Sequence, residues 1–126
     1  MFEISVEQTF AAAHALRGYK GKCENVHGHN YRVRVTIEGP QLNSIGLLVD
    51  FVEIKRLLRG TLDYLDHRMV NDLPPFDKLN PTAENMAKYF CEQVQSGLDN
   101  GSAEVPARVK EVLVWETDTS VATYRP

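Results

Sequence analysis

His27-Gly28-His29-Asn30-Tyr31-Arg32-Val33-Arg34-Val35-Thr36-Ile37-Glu38, closed by Gly39-Pro40, decides how the rest of the chain is read. Tyr31, Val33, Val35 and Ile37 alternate with Arg32, Arg34, Thr36 and Glu38. That period of two is the signature of a strand with one face on a core and the other in water, and Gly-Pro stops it. Residues two apart on a strand share a face, so the imidazoles of His27 and His29, at the entrance to the run, point the same way. Gly28 adds no bulk between them.

Upstream, Phe2, Ile4 and Val6 alternate with Glu3, Ser5 and Glu7, and the pattern continues through Phe10 to about His14. This predicts a first strand and, with the second, a hairpin in which His14 lies opposite the His27/His29 pair. The stretch from Leu16 to Val26, with Gly18, Gly21 and several charges, reads as a loop, and it carries Cys23. Downstream, Asp50 and Glu53 have the spacing of a capping box, and Ile54, Leu57, Leu58, Leu62 and Leu65 recur at helical spacing, predicting a helix over 51–65. Pro74, Pro75 and Pro81 force a non-helical connection; Thr82 then caps a second helix with Met86, Ala87, Phe90 and Val94 inside, ending before Gly97. Val109–Glu116 and Val121–Tyr124 read as two further strands. The fold class is α+β with a mainly antiparallel sheet, and four strands in so small a domain leave two edges that closed oligomerisation would pair.

With 126 residues, 43% of them hydrophobic, the chain is the size of one domain spanning 1–126. A net charge of −3, a pI near 5.8 and no run of Lys or Arg argue against nucleic-acid binding. The opening residues lack a basic n-region and a long apolar stretch, which predicts neither export nor a membrane span and so a cytoplasmic protein. In that compartment the two cysteines, Cys23 and Cys91, are expected as thiols. Cys91 falls at helical spacing between Ala87 and Val94 and reads as a packing residue.

All four histidines, His14, His27, His29 and His67, fall where chemistry is plausible. Three imidazoles on facing strands with an open fourth position are the donor set of a catalytic zinc. Each also has an ordinary reading: His27 and His29 as a solvated pair, His14 as a hydrogen-bonded core residue. Cys23, four residues before His27, can reach a substrate held on such a metal, and a nearby cation favours its thiolate. Its alternatives are a fourth ligand in a closed structural site, or an inert loop thiol. Asp66-His67 at the end of the first helix pairs a carboxylate with an imidazole, the usual preparation of a general acid or base, although a histidine there can also simply complement the helix dipole. Glu116, after Trp115, can end its strand on either face; buried, its carboxylate suits adjacent N–H donors of a guanidine-like ring edge.

Phe10-Ala11-Ala12-Ala13-His14, Cys23-x-x-x-His27-Gly28-His29-Asn30, Leu65-Asp66-His67, Asn80-Pro81-Thr82-Ala83-Glu84-Asn85 and Trp115-Glu116-Thr117 together resemble the 6-pyruvoyl-tetrahydropterin synthase family, over nearly the whole chain. The resemblance implies a tunnelling fold: a four-stranded antiparallel sheet with two helices on one face, trimers closing a barrel, and two trimers stacked as a homohexamer with active sites between subunits. It implies zinc on His14, His27 and His29, Cys23 as general base or acid, Asp66 with His67 as a relay contributed by a neighbouring subunit, and Glu116, with Thr82 nearby, holding the pterin ring. Three residues between the cysteine and His-Gly-His, and Asn80-Pro81-Thr82, resemble the bacterial 6-carboxytetrahydropterin synthases of queuosine biosynthesis. The implied reaction converts 7,8-dihydroneopterin triphosphate to 6-carboxy-5,6,7,8-tetrahydropterin with loss of triphosphate and acetaldehyde. Its alternatives are pyruvoyl formation from the same substrate and a catalytically silent zinc- or pterin-binding module. Lys20, Lys22 and Arg17 lie in a loop suited to the phosphates.

Overall fold

The computed structural model describes residues 1–21 and 24–126. Four strands, β1 (Phe2–His14), β2 (His27–Gly39), β3 (Arg108–Thr117) and β4 (Ser120–Tyr124), form one antiparallel sheet in the order β1-β2-β3-β4. Helices α1 (Phe51–Asp63) and α2 (Ala83–Gly97) cover one face. The expected hairpin forms over its full length, with Ile4 paired to Ile37 and, at the far end, His14 paired to His27. Alternation sorts most side chains as expected: Val6, Phe10 and Ala12 of β1 and Tyr31, Val33, Val35 and Ile37 of β2 are buried. They pack against Ile54, Leu58 and Leu62 of α1 and Met86, Ala87, Phe90 and Val94 of α2. Phe2, at the open end of the hairpin, is instead exposed, and Thr36 is buried with its hydroxyl 2.8 Å from that of Ser5. Leu58→Ala is expected to cost about 2–5 kcal/mol, read from the urea midpoint, because its site is fully enclosed.

Two helix expectations need correction. The capping box is half formed: Asp50 Oδ1 accepts the Val52 N–H at 2.9 Å. The Glu53 carboxylate, instead of reaching back to the cap, takes the Arg56 guanidinium and the Ser102 hydroxyl, which hold its pKa down to about 2. Helix α1 also stops at Asp63, short of Leu65. Leu65 keeps its place in the core while the chain turns, and Ala13 forms a parallel bridge with Met69, so the segment after the helix pairs with the edge of β1. Ending the helix early is what brings Asp66 and His67 to that edge.

Strand β3 departs from simple alternation. Val109, Val112 and Val114 are all buried, because the register against β2 shifts between Thr36 and Ile37. Such a bulge moves every later side chain to the opposite face. Beyond it Glu116 faces inward toward His14 and His29, while Trp115 faces out, with the Arg32 guanidinium 3.7 Å from its ring centroid. A second irregularity between Trp115 and Thr117 leaves Glu116 out of the pairing with β4.

Candidate metal and active site

At the end of the sheet where β1 finishes and β2 begins, His14, His27, His29 and Glu116 come together, each offering a ligand atom within 4.8 Å of the others. The three histidines predicted to converge do so. His14 is fully buried and its Nδ1 is 2.7 Å from the Pro81 carbonyl; His27 Nδ1 is 2.7 Å from the Asn25 carbonyl. A carbonyl only accepts, so in both rings Nδ1 carries the hydrogen and, in the neutral ring, Nε2 is left with a lone pair. Those two Nε2 atoms stand 2.9 Å apart. Two lone pairs at that distance repel unless a cation lies against both. Burial holds the His14 imidazole below the ordinary histidine range, which disfavours a proton as that cation. His29 Nε2 is buried without a hydrogen-bond partner, and burial depresses that imidazole as well. Neutral, preoriented imidazoles with an unsatisfied nitrogen are the state a divalent metal requires, so the residues fit one. Tyr31 floors the group, stacked on Phe10 at 4.7 Å and meeting His14 and His29 edge-on.

Glu116 was expected at the pterin and on either face; its carboxylate in fact stands 3.4 Å from His29 Nε2 and 3.8 Å from His14 Nε2. That position suits a fourth ligand as well as an anchor for a ligand entering beside the metal. A concavity of about 160 Å³ adjoins it, lined also by Ala83, Glu84, Ser120, Val121 and Ala122. The two roles separate experimentally. If Glu116 is an anchor, Glu116→Gln keeps the metal and weakens substrate binding; if it is a ligand, metal affinity itself falls by about 10–100-fold.

Asp66 and His67 do not join this group. They sit on the outer edge of β1, where Asp66 Oδ1 accepts the Ala11 N–H at 2.9 Å and lies 3.0 Å from His67 Nδ1. The adjacent pair therefore touches, and the Ala11 N–H, followed by His67, holds the Asp66 carboxyl below its ordinary range. His67 has φ = 58°, a left-handed conformation that costs a non-glycine residue about 1–3 kcal/mol; its N–H to the Ala11 carbonyl, at 2.6 Å, pins it there. The imidazole is 82% exposed and lines a concavity of about 540 Å³ together with Ala11, Ala13, Gly28, His29, Asn30 and Arg68. A methyl group at Gly28 would meet only the Ala12 carbonyl, at 3.7 Å, so the subunit's own packing does not demand glycine there.

Cys23 and Lys22 lie outside the described residues. Thr82 caps α2, its Oγ1 accepting the Asn85 N–H at 3.1 Å, one residue from the carbonyl that orients His14. Arg17, a candidate for phosphate, has its guanidinium on the carbonyls of Leu79, Asn71 and Phe76 at 2.9–3.3 Å, which makes it a tie between loops. Cys91 is buried and its thiol is pushed up by burial, as suits packing. From the sequence, Asn80 stands out only as part of a motif and Asn71 not at all; their carboxamides grip the backbone of Arg17 and Ala15. Among the described residues no helix is long and apolar enough to cross a membrane.

Residues 3–126 match the family described as 6-pyruvoyl tetrahydropterin synthase. The chain is 37% identical to the 6-carboxy-5,6,7,8-tetrahydropterin synthase of Bacillus subtilis, over 99% of this chain and 86% of that one. It is 30% identical to the protein of the same name from Aquifex aeolicus, over 82% and 76% of the two chains. The structure of Caenorhabditis elegans 6-pyruvoyl tetrahydropterin synthase superposes with a TM-score of 0.85 at 29% identity, covering 99% of this chain and 95% of that one. With the match running through every element of the sheet and both helices, the chain belongs to the 6-pyruvoyl tetrahydropterin synthase family.

Proposed function

We propose that this protein is a zinc-dependent lyase that converts 7,8-dihydroneopterin triphosphate to 6-carboxy-5,6,7,8-tetrahydropterin, acetaldehyde and triphosphate, a step toward queuosine and other 7-deazaguanines. The observation that carries the reading is the convergence of three imidazoles whose ligand nitrogens lie within 4.8 Å of one another. The names of the bacterial relatives support the carboxy-forming branch. The name of the nematode protein keeps pyruvoyl formation as the second reading.

In this reading His14, His27 and His29 hold zinc, which when bound supplies a Lewis acid that lowers the pKa of substrate hydroxyls. Glu116, beside the N-terminus of α2 and Thr82, accepts N–H groups of the pterin edge and fixes the ring. Cys23 moves a proton at the side chain on one face, and Asp66-His67 moves one on the other. Asp66 stays ionised against the Ala11 N–H, so it holds the His67 Nδ1 hydrogen and leaves Nε2 free to exchange protons. The dyad lies outside its own subunit's metal-binding group and its imidazole is 82% exposed, so in this reading a neighbouring copy completes the site. The long β1 edge between Phe2 and Thr9 and the short β4 are the surfaces on which trimers would close a barrel, with two trimers making the hexamer.

The deciding experiment is an incubation of zinc-loaded protein with 7,8-dihydroneopterin triphosphate, with products read by mass spectrometry. Acetaldehyde with 6-carboxytetrahydropterin is the expected outcome. An intact 6-pyruvoyl product moves the protein to the second reading, and unchanged substrate points to a silent binding module.

A further inference from the structure

β1 ends at His14, yet the backbone beyond it keeps making paired hydrogen bonds along the same outer edge. The odd-numbered residues of β1 turn their backbone groups to the outer edge, where Ala11 bonds Asp66 and His67 and the Ala13 N–H reaches the Arg68 carbonyl at 3.0 Å. The next two rungs are made by side chains. Asn71 Oδ1 accepts the Ala15 N–H at 2.9 Å while its Nδ2 donates to the Ala15 carbonyl at 2.8 Å. Asn80 does the same to Arg17, at 2.9 and 3.0 Å. A carboxamide presents one donor and one acceptor side by side, as a neighbouring strand would, so each asparagine substitutes for a rung.

The residues around Asn80 are themselves fixed. The Asn80 carbonyl accepts the Thr82 N–H at 2.8 Å and Asn85 Nδ2 at 2.9 Å, which ties it to the capped start of α2. The following residue, Pro81, gives its carbonyl to His14 Nδ1. One short stretch therefore grips the backbone three residues after His14 and the ring of His14 itself.

We propose that Asn71 and Asn80 are positioning residues for His14: by clamping the backbone of Ala15 and Arg17 just after β1 ends, they hold the imidazole on the Pro81 carbonyl with Nε2 aimed at the metal position. The proposal rests on the reading of His14 as a metal ligand. Groups that fix a ligating histidine from behind are worth about 10–100-fold in metal affinity. Their loss acts only through that histidine.

The test is a double-mutant cycle on zinc affinity, measured by competition with a chromophoric chelator, with the melting temperature of the metal-free protein recorded beside it. Asn80→Ser in the otherwise native chain is expected to weaken zinc binding by about 10–100-fold, and Asn71→Ser in the same direction. Against a His14→Gln background, Asn80→Ser should change zinc affinity by less than about threefold, because the ring it positions is gone. Leu58→Ala, which opens a cavity in the core on α1 and removes none of the site's residues, should lower the melting temperature and leave zinc affinity within about the same threefold. Native affinity in Asn80→Ser, or an equal loss in both backgrounds, overturns the proposal. Where Asn80→Ser does not fold, Asn80→Asp reads the same contact: it keeps the acceptor for the Arg17 N–H and places an oxygen against the Arg17 carbonyl. A native chain that binds no zinc overturns the metal reading and the clamp together, whereas zinc held equally by native and Asn80→Ser chains overturns the clamp alone.

Discussion

His29→Ala protein, purified and exposed to zinc, is expected to bind the ion about two orders of magnitude more weakly than the native chain and to form no product. Of the three imidazoles, His29 has the buried Nε2 that makes no hydrogen bond, with only the Glu116 carboxylate 3.4 Å away, which leaves that nitrogen available to a metal. A four-ligand structural zinc contributes on the order of 10–16 kcal/mol, so one ligand is worth roughly 3 kcal/mol, about a hundredfold in affinity. The side chain is 16% exposed and near the start of its strand, so alanine there should leave the sheet intact. Zinc content by metal analysis and far-UV circular dichroism together check the result. Native zinc binding by the folded variant would end the account of this site. His14→Ala is a poorer probe, because His14 is fully buried and its loss also opens a cavity.

His67→Ala has the opposite profile. The imidazole stands outside the metal group, so zinc should be retained at native stoichiometry while turnover falls by about 10²–10⁴-fold, the usual worth of a positioned acid or base. Cys23→Ala belongs to the same class: zinc kept, product lost. Relief of the left-handed strain at residue 67 is slight with alanine, so the melting temperature should hardly move; glycine at 67 would relieve it. The exposed dyad, outside its own subunit's metal-binding group, permits a sharper test. If each site takes its histidine triad from one subunit and its dyad from the next, chains carrying His29→Ala and His67→Ala, each inactive alone, should regain activity when unfolded together and reassembled. Random mixing in a symmetric oligomer places an intact triad beside an intact dyad at about a quarter of the sites, so recovery to about that fraction is expected. No recovery would mean that both halves must lie on one chain.

The sequence determined, by itself, whatever depends on local periodicity. Alternation in Tyr31–Glu38 and Phe2–Val6 decides which faces of β1 and β2 are buried, and two-residue spacing puts His27 and His29 side by side whatever happens elsewhere. The hairpin register then brings His14 opposite His27 without further information. Helical spacing and the Asp50 and Thr82 caps likewise define α1 and α2 to within two residues. Three things were settled only in the tertiary structure. The face of Glu116 depends on a bulge in β3: strict alternation from Val109 would turn Trp115 inward and Glu116 out, and the register shift reverses both. The end of α1 and the left-handed turn at His67 depend on backbone bonds to Ala11 and Ala13, more than fifty residues away in sequence. The role of Asn80 depends on Arg17, 63 residues distant, whose peptide it completes. Period and propensity are properties of neighbours along the chain, whereas a bulge, an edge rung and a carboxamide clamp are bargains between segments that meet only after folding.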